Sequence, residues 1–317
     1  MRRREFIMLL GCAAAAWPLD VLAQQAEPVR RTGILWRGDA TEGFVQVLQR
    51  ALLEGLAKLG WIDGDAPDRV RKHAEELVGL GPDIIAASSY PVAQAVLQQT
   101  RTIPVVFMNV ADPVAGGLLK NIARPEGNAT GITSTYQSMG GKWLDLLKEA
   151  APRTARVALI FAPENVNVQF FGVIDAAAEV LAVKVVRAPY RNTAELQRAI
   201  DVFAVEPNGV LLMVPPPPTP ANAELINRLA VMYRLPTIYT SKYHAALGGM
   251  MSYGPPITES YQIAAAYIDR ILRGAKISEL PVQFPTRVEL VINLKTVKAI
   301  GLPLSRQVLA HADDLIE

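Results

Sequence analysis

Short apolar, β-branched runs alternate with longer amphipathic stretches along this chain, a cadence that predicts parallel α/β sheets. "TGILW" (32–36), "PDIIAAS" (82–88), "IPVVFMNV" (103–110) and "ATGITS" (129–134) read as strands. Between them the pattern predicts helices at about 42–59 and 91–99, with a further short one around 115–122. After a helix at 140–149 and Pro152 the cadence resumes. "ARVALIF" (155–161), "VKVVRA" (183–188), "GVLLMV" (209–214) and "LPTIYT" (235–240) are strands, separated by helices near 168–181, 193–205 and 221–234. Two similar α/β blocks follow one another without visible sequence repetition. The late pieces, "GGMMSYGPP" (248–256), a helix at 258–273 and "LPVQFPTRVELVINLKTVKAIGL" (280–302), would be spare in two simple domains. They make sense if the chain crosses back between lobes through a multi-stranded hinge.

The first residues do not belong to this pattern. Arg2, Arg3 and Arg4 precede an apolar stretch from Phe6 to Trp17, and Val21-Leu22-Ala23 forms a small-residue cleavage site. Residues 1–23 therefore read as an export signal, removed after Ala23 and too short to span a membrane. Arg3-Arg4-Glu5-Phe6-Ile7 also looks like a twin-arginine motif, and lipid attachment at Cys12 is an alternative. Cys12 is the single cysteine, so the exported body would carry no disulfide and rely on core burial. A formal net charge of +2 gives no nucleic-acid face.

Catalytic signatures are missing. There is no G-x-S-x-G, no G-x-x-x-x-G-K-[ST], and "GILWRGDATEG" stands where a dinucleotide fingerprint would. His73, His244 and His311 lack ligand spacing and read as isolated surface or core histidines, so no metal or other cofactor is expected. What the chain offers instead is polar residues where strands end and helices begin, the place where parallel α/β sheets bind ligands. Those positions are Trp36 to Thr41, Ser88-Ser89-Tyr90-Pro91, Asn109-Val110-Ala111-Asp112-Pro113, Pro163 to Asn167, Pro215 to Pro220, and Ser241. Each also has a plainer reading: Ser88, Ser89 and Asp112 are good helix caps, Asn165 and Asn167 could cap the next helix, and Trp36 could be core.

At these residues the chain resembles the ABC-transporter substrate-binding proteins of the tryptophan/tyrosine type. The resemblance is carried by "RRREFIMLLG", "ALLEGLAKLGW", "IPVVFMNVADPVAGGLLKNIARPEGNATGIT", "GGMMSYGPP", "YIDRILRGAKISELPVQFPTRVELVINLKTVKAIGL" and "VLAHADDLIE". It implies a type I periplasmic-binding-protein fold: two doubly wound parallel-sheet lobes, 24–133 with 254–280 and 134–253 with 281–317, joined by a multi-stranded hinge. It implies no catalysis. The implied role is a mostly monomeric periplasmic receptor that passes a small organic solute, aromatic or amino-acid-like, to a permease and its ATPase. A sensing protein that presents the solute to a membrane regulator is the alternative. Ligand contacts would come from Trp36, Asp39, Ser88, Ser89, Tyr90, Asp112, Asn165, Asn167 and, at the hinge, Tyr253.

Two departures from the family pattern stand out. Gly60 to Arg69 runs directly into the next helix, so the first lobe is expected to lack its second strand and to leave its first strand at an edge. "VPPPPTPAN" places four consecutive prolines after a second-lobe strand, as a stiff cleft wall or a rigid connector.

Overall fold

A computed structural model describes residues 30–35, 43–59, 74–114, 116–133, 138–163, 168–215 and 218–317. The chain divides into two compact units, 1–31 and 32–317. Only Arg30 and Arg31 of the first unit are among the described residues, and everything below concerns the second. The export-signal reading of 1–23 therefore lies outside the described residues.

The first sheet is parallel, with strands β1 (Thr32–Leu35), β2 (Ile84–Ala87), β3 (Val105–Val110) and β4 (Ala129–Thr133) in that spatial order. Strict alternation sorts its side chains. Ile84, Ala86, Val106 and Met108 face a core shared with α1 (Gly43–Lys58) and α9 (Ile257–Leu272). Ile85, Ala87, Val105 and Phe107 face one shared with α2 (Ala74–Gly79) and α3 (Tyr90–Gln99). Both faces are covered, which is why these strands read as nearly unbroken apolar runs. The expected loss of a second strand falls on residues 60–73, outside the described residues. Among the described strands β1 pairs with β2 alone and forms an edge.

The expected short helix at 115–122 is not formed: the described residues there are turns. Pro113 starts the segment, Gly117 takes a left-handed φ of 76°, and Pro125 follows, so no uninterrupted helical stretch remains.

The second sheet holds seven strands in the order β11-β10-β9-β8-β7-β5-β6. They are β5 (Arg156–Phe161), β6 (Lys184–Pro189), β7 (Gly209–Met213), β8 (Thr237–Tyr239), β9 (Met251–Gly254), β10 (Glu289–Asn293) and β11 (Asp314–Ile316). All neighbours run parallel except β9 and β10. One face packs on α4 (Met139–Ala150) and α5 (Gln169–Val180), with Trp143, Leu147, Phe170 and Ile174 at its centre. The other packs on α6 (Thr193–Ala204) and α7 (Pro220–Tyr233) through Leu196, Ile200, Ile226 and Leu229. The short helices α8 (Lys242–Ala246), α10 (Leu294–Ile300) and α11 (Arg306–Ala310), with a 3-10 turn at Ile277–Glu279, complete the described elements.

The chain passes between the two sheets three times. It leaves the first after β4, returns from β9 through Pro255-Pro256 into α9, and leaves again after Gln283 towards β10. The last passage is bonded to the first sheet as if it were one more strand. Gln283 N donates to Gly131 O at 3.0 Å, Thr133 N donates to Gln283 O at 2.9 Å, and Ile132 and Gln283 form a parallel bridge. Thr130 Oγ1 adds a bond to Leu280 O at 2.6 Å. At the return passage, the Trp143 indole donates to Tyr253 O at 2.7 Å.

Gly254 ends β9 for a steric reason rather than for flexibility. A Cβ there would lie 1.9 Å from Thr240 O, so the backbone of the return passage presses directly on that of the loop after β8. Gly254→Ala should therefore lose about 1–3 kcal/mol or more in urea unfolding. Gly172→Ala, in the interior of α5 where nothing lies within 4 Å of an added Cβ, should gain about 0.5–1 kcal/mol.

Candidate functional site

Parallel strands aim their carboxyl ends, and the helix N-termini that follow them, at one edge of the sheet. In the first sheet the residues on that edge are Ser88, Ser89 and Tyr90 after β2 and Asn109 to Asp112 at the end of β3. β2 and β3 are hydrogen-bonded neighbours, so the structure brings Ser88, Ser89, Tyr90 and Asp112 to one place. Trp36, Asp39, Asn165 and Asn167 lie outside the described residues.

Ser88 is buried and its N–H donates to Leu35 O at 3.1 Å, tying the end of β2 to β1. Ser89 is the N-cap of α3 in extended conformation, yet its hydroxyl does not cap: Oγ is buried and has no hydrogen-bond partner. An unpaired buried hydroxyl costs about 1–3 kcal/mol, which a ligand acceptor would recover. Pro91 follows at the second helical position and has no N–H, so the free donors of this helix end come from Tyr90 and Val92. Together with Ser89 Oγ they make an anion-accepting corner at the positive end of a ten-residue helix.

Tyr90 leans away from that corner, over the β3–β4 connection. Its hydroxyl donates to Gly116 O and accepts from Gln94 Nε2 at 3.2 Å. A Cβ on Gly116 would strike the Tyr90 ring at 2.3 Å, so this glycine makes room for the aromatic. Asp112 is half-buried; its Oδ1 accepts from Val114 N at 3.0 Å, the turn-capping role its position before Pro113 suggests. Tyr253 stands on β9 in the second sheet, half-buried beside the return passage and fixed through its carbonyl by Trp143. Ser252, its neighbour, is buried with an unpartnered Oγ.

Sequence reasoning passed over the residues that join the lobes. Phe44, at the start of α1 after β1, meets Tyr243 of α8, which follows β8 in the other lobe, with ring centroids 4.5 Å apart. Behind Tyr243 the His244 ring stacks on Tyr239 at 5.3 Å with an interplanar angle of 7°. The stack is anchored: Tyr239 donates to Asn227 Oδ1 at 2.7 Å, and Asn227 Nδ2 donates to Leu247 O at 3.0 Å. The only hint in the sequence was a Tyr-His pair beside a strand end. Among the described residues no three His, Cys, Asp or Glu side chains gather as metal ligands. A groove of about 760 Å³ near Pro104, Glu126 and Lys276 lies at the opposite, amino end of β3 and β4, away from this site.

His244, read in isolation as a lone histidine, is core. Its Nε2 lies 3.0 Å from Pro218 O, where a neutral ring donates, and Nδ1 is buried without a partner. Burial holds its pKa down at about 4, from an ordinary 6.5. Between those values the unfolded chain binds a proton that the folded chain refuses, so stability is complete above pH 6.5 and falls as pH drops towards 4. The loss should reach roughly 3 kcal/mol, read by denaturant unfolding at pH 7, 5.5 and 4. His244→Gln should flatten that part of the profile.

Comparisons with known proteins bear on the fold and the family. A "Tyrosine-binding protein" of Clostridioides difficile (strain R20291) is 27% identical over 238 residues, 72% of this chain, and the chain spans 66% of that relative's length. A conserved domain protein from Vibrio cholerae superposes with a TM-score of 0.80 at 24% identity, covering 90% of this chain and 99% of its own. A domain from Streptococcus pneumonia, solved in complex with L-Trp, gives 0.78 at 19% identity with the same coverage. These neighbours share the two-lobed α/β architecture of type I periplasmic-binding proteins. Residues 40–316 match the family model of ABC transporter substrate-binding proteins, and the chain belongs to that family.

Proposed function

We propose that this protein is the solute receptor of an ABC importer and that its solute is an aromatic amino acid or a close analogue. One observation carries the reading: the α3 N-terminus, with the buried, unpartnered Ser89 hydroxyl beside it, opens on the edge where the carboxyl ends of β2 and β3 meet. That corner suits a carboxylate. The tyrosine-binding relative and the L-Trp-bound neighbour support an aromatic side chain on the solute. In this reading Ser88, Ser89, Tyr90 and Asp112 serve the first lobe, Trp36 and Asp39 add to it, and Asn165, Asn167 and Tyr253 answer from the second. The lobes divide as 24–133 with 254–280 and 134–253 with 281–317, and they close on the solute by bending at the three passages.

Export after removal of residues 1–23, and delivery to a permease with its ATPase, belong to the same proposal. No helix among the described residues is long and apolar enough to cross a membrane. The role uses recognition and closure alone, with no catalytic step.

Titration calorimetry and thermal unfolding with L-tryptophan, L-tyrosine, L-phenylalanine and a panel of aliphatic amino acids test it. A solute at one hundred times its Kd should stabilise the protein by about 2.7 kcal/mol, in step with its affinity. Failure of every aromatic amino acid to bind would overturn the reading. The Phe44–Tyr243 contact should favour closure, since it joins a helix of one lobe to a helix of the other. Phe44→Ala should then weaken solute affinity by up to about tenfold, as the removal of one aromatic pair implies, and leave the far-ultraviolet spectrum unchanged.

A further inference from the structure

Strand β3 departs from regularity just where it reaches the site. Its register with β4 runs from Phe107↔Gly131 to Val110↔Thr133, three steps on one strand against two on the other, so one residue is bulged out. Asn109 lies in that bulge with φ 57°, in the left-handed region. The other non-glycine residues with positive φ among the described ones, Ala182, Asn208 and Arg234, all stand in turns or bends, whereas Asn109 lies within a strand. Bulges of this kind re-aim a side chain and recur next to binding sites.

Its surroundings define what Asn109 can meet. Met108 and Val110 on either side are fully buried, in the cores on opposite faces of the sheet, while Asn109 is only half-buried. Its amide makes no hydrogen bond among the described residues. The last registered pair between β2 and β3 is Ala87↔Phe107, and two residues further along each strand stand Ser89 and Asn109. Ser89 at the corner and Asn109 thus stand at matching positions past the last registered pair of two adjacent strands, and Asp112 follows three residues on. Donors for an anion on one side and acceptors on the other match a zwitterion.

We infer that Asn109 reads the ammonium group of an α-amino acid whose carboxylate sits on Ser89 and the α3 N-terminus. The inference rests on the proposed solute-binding role and makes it specific. Asn109 Oδ1 accepts from the ammonium, Asp112 supplies the field that favours a cation there, and the bulge turns the amide towards it. The competing account is that asparagine is present only because it tolerates a left-handed backbone, which glycine does at least as well.

Asn109→Gly separates the two accounts because it keeps the backbone conformation and removes only the amide. Titration calorimetry would be run on wild type, N109G and N109D with L-tyrosine, L-tryptophan and 3-(4-hydroxyphenyl)propionate, which lacks the ammonium. N109G should unfold at or above the wild-type temperature yet bind the amino acids about ten- to a hundredfold more weakly. It should bind the deaminated acid as wild type does, and N109D, which keeps the acceptor, should hold amino-acid affinity within a few-fold. Unchanged amino-acid affinity in N109G overturns the inference while leaving the solute-binding role standing. An equal loss for the amino acids and the deaminated acid overturns it as well, since Asn109 would then read some other group. Wild type that binds neither amino acid overturns this inference by showing that the solute is of another kind, a result separate from unchanged affinity in N109G.

Discussion

Both lobes are built from a single chain that passes between them three times, so neither sheet can shift without pulling on main-chain hydrogen bonds. The bonds that matter most join Gln283 to Gly131 and Thr133, where a strand-like segment is added to the first sheet on its way to the second. Backbone pairing of this kind is directional and tolerates bending far better than shear, because twist can change while the ladder stays intact. Trp143 reinforces the neighbouring passage through Tyr253 O, and Gly254 lets that passage press against Thr240 O. The result is a joint held by main-chain hydrogen bonds as well as by side-chain packing.

Most of the architecture was readable because the inner strands are covered on both faces. Ile84 to Ala87 and Val210 to Leu212 are buried without a break, and such runs stand out against the amphipathic helices between them. The return of the chain to the first lobe was likewise legible, since a strand ending in Gly-Pro-Pro followed by a long helix had no other place in the pattern. The helix expected at 115–122 was a misreading, because apolar spacing outweighed the Gly116-Gly117 pair. Local breakers decided there, and periodicity did not.

The site was legible by class but not by residue. Polar residues at strand ends can be located from sequence alone, and Ser88, Ser89, Tyr90 and Asp112 do gather. What each does depends on tertiary neighbours. Tyr90 is engaged by Gly116, and Ser89, a textual N-cap, leaves its hydroxyl unused. Asn109 escaped selection because a bulge is a property of two strands in register, and no single strand records it. The Phe44–Tyr243 contact is harder still, since it joins helices about two hundred residues apart that belong to different lobes.

The packing of α9 against α1 also bears on how the protein is made. The core of the first lobe joins Leu48 and Leu52 near one end of the chain to Tyr261, Ala264 and Ile268 near the other. Translation must therefore reach α9, beyond strands β5 to β9 of the second lobe, before this lobe can close over its own apolar side chains. Until then Leu52, Ile84, Val106 and Met108 present one sticky face, the situation in which nascent chains aggregate or are held by chaperones. The second lobe, whose strands β5 to β9 are consecutive in sequence, can gather most of its core while synthesis continues. The first lobe thus waits for a helix encoded after most of the second, and the second in turn is completed only by β10 and β11.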